Sequence, residues 1–328
     1  MGFRLEKSAP TGEQQDLLRA MYAYMLRARL VDTAAWTAYQ QGQLGFVASC
    51  RGHEAAQVGS ALCIEVGQDF TLPYYRDLGV VLTIGMTPEE VFRTYLQARQ
   101  VSTLAVQQET LQAAAKQEAE DEQQPRHPTR PVAHWGYHKH NLVTAPAPVA
   151  TQIMHAAGIA FACKLRKSSA VTIAYCGDGA TAEPDFREGI TFAAQHQLPA
   201  LFICEQDSSP DRPSTLSALS LPAGLHYERV DGSDVLGVYI VTQEALQRAR
   251  AGHGPTLLEI TVTRATPVFL ALTPTHDPLT RCQQFLQQLN AWDETWASEL
   301  ESRLRQEVEQ ALADVLLSGI DCNLPKLE

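Results

Sequence analysis

Apolar side chains recur at Leu17, Leu18, Met21, Tyr22, Met25 and Leu26, the three-and-four spacing of one helix face. Thr11 and Gln14 ahead of them resemble a capping box. Shorter helices are predicted from about His53 to Cys63 and, after a Thr-Pro start, from Thr87 to about Tyr95. Beyond residue 130 the period changes. Val149 to Lys164 reads as an Ala- and Gly-rich helix. Val171 to Cys176 is a continuous apolar run of strand length, Pro184 to His196 a helix, and Ala200 to Cys204 a second buried strand. A strand around Arg229 and Val230, a helix from Asp234 to Arg250 and a last strand from Thr256 to Val262 follow. Strands alternating with helices of this length predict an α/β fold: a parallel sheet with helices on both faces, preceded by N-terminal helices. A helical C-terminal tail is predicted from Thr280 to Leu317.

Residues 101–130 fit neither period. Gln107 to Gln124 is rich in Gln, Ala and Glu and runs into Pro125-Arg126-His127-Pro128, a composition that reads as a surface insertion. The predicted organisation is a helical N-terminal part (1–100), this insertion (101–130), a parallel-sheet core (131–275) and a helical tail (276–328). With 328 residues, 45% of them hydrophobic, the chain can bury a core without disulfide or metal staples. A net charge of −11 gives no electrostatic footprint for nucleic acid or an anionic membrane. No apolar run approaches the roughly 20 residues that span a bilayer. Met1-Gly2-Phe3-Arg4-Leu5-Glu6-Lys7 has no apolar core of a secretory signal. The 7 cysteines are scattered, without a C-x-x-C pair, which predicts reduced thiols and a cytoplasmic location.

In a parallel sheet, ligands bind at the carboxyl ends of the strands. The first strong strand is followed by Gly177-Asp178-Gly179-Ala180-Thr181. Two glycines allow a sharp turn, and a carboxylate between them suits a hard cation that holds a phosphate. The second strand ends in Cys204-Glu205-Gln206-Asp207, one strand–helix–strand unit later. Asp178 and Asp207 are therefore predicted at the same sheet edge, where two oxygen ligands, diphosphate oxygens and water would complete a Mg²⁺ site. The spacing of His134, His138 and His140 is compatible with zinc, but no carboxylate or cysteine partner is evident beside it.

These stretches, together with others, resemble the alpha subunit of the thiamine diphosphate-dependent first component of 2-oxo acid dehydrogenase complexes (pyruvate, branched-chain and acetoin types). The matching segments are Gly52-His53-Glu54-Ala55-Ala56-Gln57-Val58-Gly59-Ser60-Ala61, Tyr75-Arg76-Asp77, His134-Trp135-Gly136, Pro148-Val149-Ala150-Thr151-Gln152, Gly177-Asp178-Gly179-Ala180-Thr181-Ala182-Glu183, Phe192-Ala193-Ala194 with Leu198-Pro199, and Val230-Asp231-Gly232-Ser233-Asp234-Val235. The resemblance implies a thiamine diphosphate-binding fold and a cofactor site made of Tyr75, Arg76, Val149, Gly177, Asp178, Gly179 and Ala180. Asp178 would bind Mg²⁺, Arg76 the diphosphate, and the backbone near Val149 the aminopyrimidine ring. His134 would stand near the cofactor entrance. The resemblance also implies a separate beta subunit in an α2β2 heterotetramer, which supplies the glutamate that activates the aminopyrimidine. The chain alone would then be inactive. A lipoyl acyltransferase core would take the acyl group released from a 2-oxo acid substrate.

The chain departs from the family pattern in two places. Where the family has Asn-Asn-Gly-Tyr, this chain has Gln206-Asp207-Ser208-Ser209, so the metal ligands become Asp207 and the backbone of Ser209. After the last strand the family's Arg-x-Gly-His-His-Ser-x-x-Asp loop is replaced by Arg264-Ala265-Thr266-Pro267-Val268-Phe269-Leu270, leaving His276, beside Asp277, as the histidine that would stand in. These departures keep a second reading open, a paralogue that retains the fold and the beta-binding surface as a non-catalytic structural or regulatory subunit. A transketolase-like subunit is a third.

Overall fold

The computed structural model describes residues 12–99, 135, 138–144, 148–208, 214–265 and 272–318. Five strands form one sheet in the order β1-β2-β3-β5-β4: β1 Phe70–Leu72, β2 Thr172–Gly177, β3 Ala200–Asp207, β4 His226–Asp231 and β5 Thr256–Val262. Every pairing is parallel. The helices are α1 Gly12–Gln40, α2 Glu54–Ala61, α3 Leu78–Thr83, α4 over 88–99, α5 Thr151–Leu165, α6 Pro184–Gln195, α7 Val235–Arg250, α8 Pro278–Gln288 and α9 Glu294–Ser318.

Strand alternation sorts side chains onto two faces. Ile173, Tyr175, Leu201, Ile203, Leu258 and Ile260 share a core with Val31, Ala56, Val80, Val238 and Val308, from α1, α2, α3, α7 and α9. Ala174, Cys176, Ala200, Phe202 and Cys204 pack against Ile153, Ala157, Phe186 and Ile190 of α5 and α6. Both faces are covered, so β2 and β3 are continuous apolar runs rather than alternating ones. Close packing of α5 on α6 depends on Gly189, where a Cβ would lie 2.8 Å from Ile153 Cγ2. A third cluster joins Leu18, Met21 and Met25 of α1 to Leu286 of α8 and Leu300 of α9.

The predicted strands and the helices between them are present, with small shifts at their ends. Two differences have clear causes. The tail is two helices, because Asn290 adopts φ 54° after α8, a left-handed conformation that asparagine tolerates, and Asp293 accepts a hydrogen bond from Trp296 N at 2.7 Å to start the next helix. β1 and α3 were not predicted: β1 is 3 residues long, pairs with β2 and through a single bridge with Leu142, and is followed by Pro73, too short to show a period. The insertion over 101–130, His134, Ser209 and the segment 266–271 lie outside the described residues.

Candidate active site

The strand register brings the two predicted aspartates to one edge. Gly177, the last residue of β2, pairs with Glu205 of β3. Asp178 opens the next turn, and Asp207 closes β3 against Val262. The Asp178 carboxylate accepts from Gly179 N at 2.9 Å, and its carbonyl accepts from Thr181 Oγ1 at 2.8 Å, which closes the Gly-Asp-Gly turn. Asp178 is half-buried and Asp207 buried. A Cβ added to Gly179 would meet nothing within 4 Å, so the turn has open space beside it.

Tyr75 and Arg76 leave β1 at this same carboxyl edge. Tyr75 is exposed, and its ring lies 5.6 Å from the Arg76 guanidinium carbon. Arg76 Nη1 donates to Ser49 O at 2.5 Å. Ser49 is itself fixed: its hydroxyl donates to Asp32 Oδ2 at 2.7 Å, and Cys50 N donates to Asp32 Oδ1 at 2.9 Å. Burial pushes the Asp32 carboxyl up to about 6 against the pull of those two donors. Val149 lies exposed just ahead of α5, beside Ala150, which is buried at φ 71°. A left-handed conformation costs a non-glycine residue roughly 1–2 kcal/mol. Gln152 Nε2 donates to Tyr175 O at 3.0 Å and ties this end of α5 to β2.

Between these loops lies a buried polar cluster that no sequence motif assigned. Glu205 Oε2 accepts from Tyr74 Oη at 2.5 Å and from Gln57 Nε2 at 3.3 Å, and lies 2.6 Å from His53 Nδ1. Tyr74 N donates to Asp77 Oδ2 at 2.7 Å. Burial, then the nearby Glu205 charge, pushes the Asp77 carboxyl and the Tyr74 phenol well above their usual values. One signal was available in the sequence: Glu205 shares strand parity with Leu201 and Ile203, which face the core.

A second cluster holds the end of the loop after β5. Arg29 pairs with Glu54 and, at 2.8 Å, with Asp277. Burial alone would raise Asp277, but the Arg29 guanidinium and the Thr280 hydroxyl hold its carboxyl below the usual range. Glu54 Oε2 also accepts from Gly52 N at 2.8 Å. Gly52 has φ +92°, and a Cβ there would lie 2.0 Å from Thr263 O. His276 is exposed, and its Nδ1 lies 2.7 Å from the Thr273 hydroxyl within its own turn. His138 and His140 sit in a 3₁₀ turn, and among the described residues no group of three or more His, Cys, Asp or Glu is placed to hold a metal.

The donor set at the sheet edge fits a diphosphate carried on a divalent cation. Arg76 offers a guanidinium to phosphate oxygens, Asp178 and Asp207 offer carboxylates from adjacent strand ends, and the Gly179 turn leaves room. The sequence model described as Dehydrogenase E1 component matches residues 22–318, and the chain belongs to this family as an alpha subunit of the 2-oxo acid dehydrogenase type, an oxidoreductase. It is 38% identical over 255 residues to the 2-oxoisovalerate dehydrogenase subunit alpha of Bacillus subtilis, covering 75% of this chain and 71% of the relative. It is 31% identical over 326 residues to the 3-methyl-2-oxobutanoate dehydrogenase subunit alpha of Mycobacterium tuberculosis, covering 92% and 79%. It is 30% identical over 315 residues to the pyruvate dehydrogenase E1 component subunit alpha of Staphylococcus aureus, covering 88% and 75%. The family depends on thiamine diphosphate and works with a beta subunit. None of these comparisons favours the non-catalytic paralogue. Among the described residues no helix is long and apolar enough to cross a membrane.

Proposed function

We propose that Tyr75, Arg76, Val149, Gly177, Asp178, Gly179 and Ala180 form this chain's half of a thiamine diphosphate site, with Asp178, Asp207 and the Ser209 backbone as Mg²⁺ ligands. The observation that carries the reading is the convergence of three loops, after β1, β2 and β3, on one sheet edge with one guanidinium and two carboxylates. When bound, the cofactor supplies the carbon nucleophile and electron sink for decarboxylation of a 2-oxo acid. Arg76, anchored on Ser49 O, neutralises phosphate charge. Asp178, in a turn closed by Gly179 N and Thr181, would hold the cation. The backbone of Val149, beside Ala150 with its left-handed φ of 71° at the start of α5, would face the aminopyrimidine ring.

The substrate we propose is a branched-chain 2-oxo acid, supported by the names of the Bacillus and Mycobacterium relatives. The full assembly in this reading is a cytoplasmic α2β2 heterotetramer that passes its acyl group to a lipoyl acyltransferase core. His134 guards the cofactor entrance and His276 supports the acyl transfer. The test is to co-express the chain with its beta subunit and measure decarboxylation of 2-oxoisovalerate and pyruvate with an artificial electron acceptor. The expected result is Mg²⁺- and thiamine diphosphate-dependent turnover, faster on 2-oxoisovalerate, with none from this chain alone. Turnover by the isolated chain, or none from a cofactor-loaded complex, contradicts the reading.

A further inference from the structure

Glu205 contacts both the helix that precedes the cofactor loops, through His53 and Gln57, and the loop that carries Arg76, through Tyr74. It is 2% exposed, in a strand covered on both faces. A carboxylate there is costly unless its oxygens are matched by donors. The matching is one-sided: Oε2 gathers Tyr74, His53 and Gln57, whereas Oε1 is buried with no hydrogen-bond partner among the described residues. The His53 ring is likewise held through Nδ1, its Nε2 being buried with no hydrogen-bond partner among the described residues.

The donors come from segments far apart in sequence. His53 is the N-cap residue of α2, Gln57 lies one turn along it, and Tyr74 stands just ahead of Tyr75 and Arg76. Gln57 extends the grip: its Nε2 also donates to Arg76 O at 3.1 Å, and its Oε1 accepts from Gly79 N at 2.9 Å. The stretch from Tyr74 to Gly79 is therefore held on both sides of Arg76 by atoms that lead back to Glu205. Glu205 in turn shares β3 with Asp207 and pairs in register with Gly177, the residue before Asp178. We infer that Glu205, seated by His53 and Gln57, is a positioning residue that fixes the Tyr75–Arg76 loop relative to the Asp178 and Asp207 strand ends. This inference rests on the proposed cofactor site.

A merely structural hub would lower stability and leave cofactor affinity alone; a positioning hub does the reverse when one donor is trimmed gently. Tyr74→Phe removes one hydroxyl and no ring volume. His53→Gln keeps a side-chain donor in place of the imidazole. The experiment uses the purified alpha–beta complex, titrated calorimetrically with thiamine diphosphate at saturating Mg²⁺, with thermal midpoints of the cofactor-free complex and kcat at saturating cofactor. Tyr74→Phe is expected to raise the cofactor Kd about tenfold, the scale of one lost hydrogen bond to a charged group, and to keep kcat within about threefold. His53→Gln is expected to stay within about threefold of the parent Kd. Arg76→Ala is measured alongside and is expected to weaken binding at least as much. If Tyr74→Phe lowers the thermal midpoint and leaves Kd unchanged while Arg76→Ala weakens binding, the hub is structural only and the inference is overturned. If Arg76→Ala has no effect on Kd, the proposed site itself fails and the inference falls with it. Should Tyr74→Phe not assemble, Glu205→Gln, which keeps the side-chain volume, is read by the same criteria.

Discussion

Asp32 has no solvent to stabilise its charge and two donors that only partly replace it, so its carboxyl stays protonated up to about pH 6. In the unfolded chain it ionises near its usual value of 3.8. Between about pH 4 and pH 6 the folded state therefore holds more protons, and this residue's contribution to stability falls as pH rises through that window, by about 3 kcal/mol. Asp32→Asn removes the dependence. The expected outcome is a gain in thermal midpoint relative to the parent that is larger at pH 7 than at pH 4; an equal offset at both values counts against a protonation change. Arg29 is the opposite case, a half-buried cation whose removal leaves Glu54, fully buried, without its counter-charge. Arg29→Met is expected to cost about 3–5 kcal/mol in a denaturant titration, and Arg29→Lys to restore only part, because lysine cannot bridge Glu54 and Asp277 with a planar fork. Asp178 and Asp207 were legible in the sequence, since each follows an apolar run of strand length. Glu205 and Asp32 were not, because their meaning lies in partners brought from distant segments.

The short helix α2 shows how an element can be positioned from outside. All 8 of its residues are buried, so burial gives it no amphipathic face from which to read its orientation. Its entry is set by Gly52, whose left-handed conformation and close approach to Thr263 O leave no room for a side chain. Gly52→Ala is expected to destabilise the chain by more than about 3 kcal/mol, since strain and a backbone clash add, and to disturb the Glu54–Arg29–Asp277 contacts. A denaturation midpoint unchanged by that substitution would contradict the geometry. Local pattern carried the longer elements well because β2, β3, β5 and the helices between them have lengths and periods set by the two-faced sheet. It missed β1 and α3, which exist because β2 offers an edge for pairing and Gln57 and Asp77 hold the following turn. It also merged α8 and α9, since the helical period resumes after Asn290 and hides the break.

At the scale of the whole molecule, the carboxyl edge of the sheet gathers the described groups proposed to hold the cofactor, Arg76, Asp178 and Asp207, and that donor set is one-sided. It offers groups for a diphosphate and a cation, and the resemblance assigns the glutamate that activates the aminopyrimidine to a beta subunit. Val149, at the entry to α5 beside this edge, is an exposed apolar residue. The most direct measurement is calorimetric titration of the purified alpha–beta complex with thiamine diphosphate in the presence of Mg²⁺, for the parent chain and for Asp178→Asn. The account predicts one saturable site per alpha subunit that requires the metal and is lost or weakened at least about 100-fold by Asp178→Asn, as expected when a cation loses a carboxylate ligand. Metal-independent binding, or equal affinity in the variant, would contradict it.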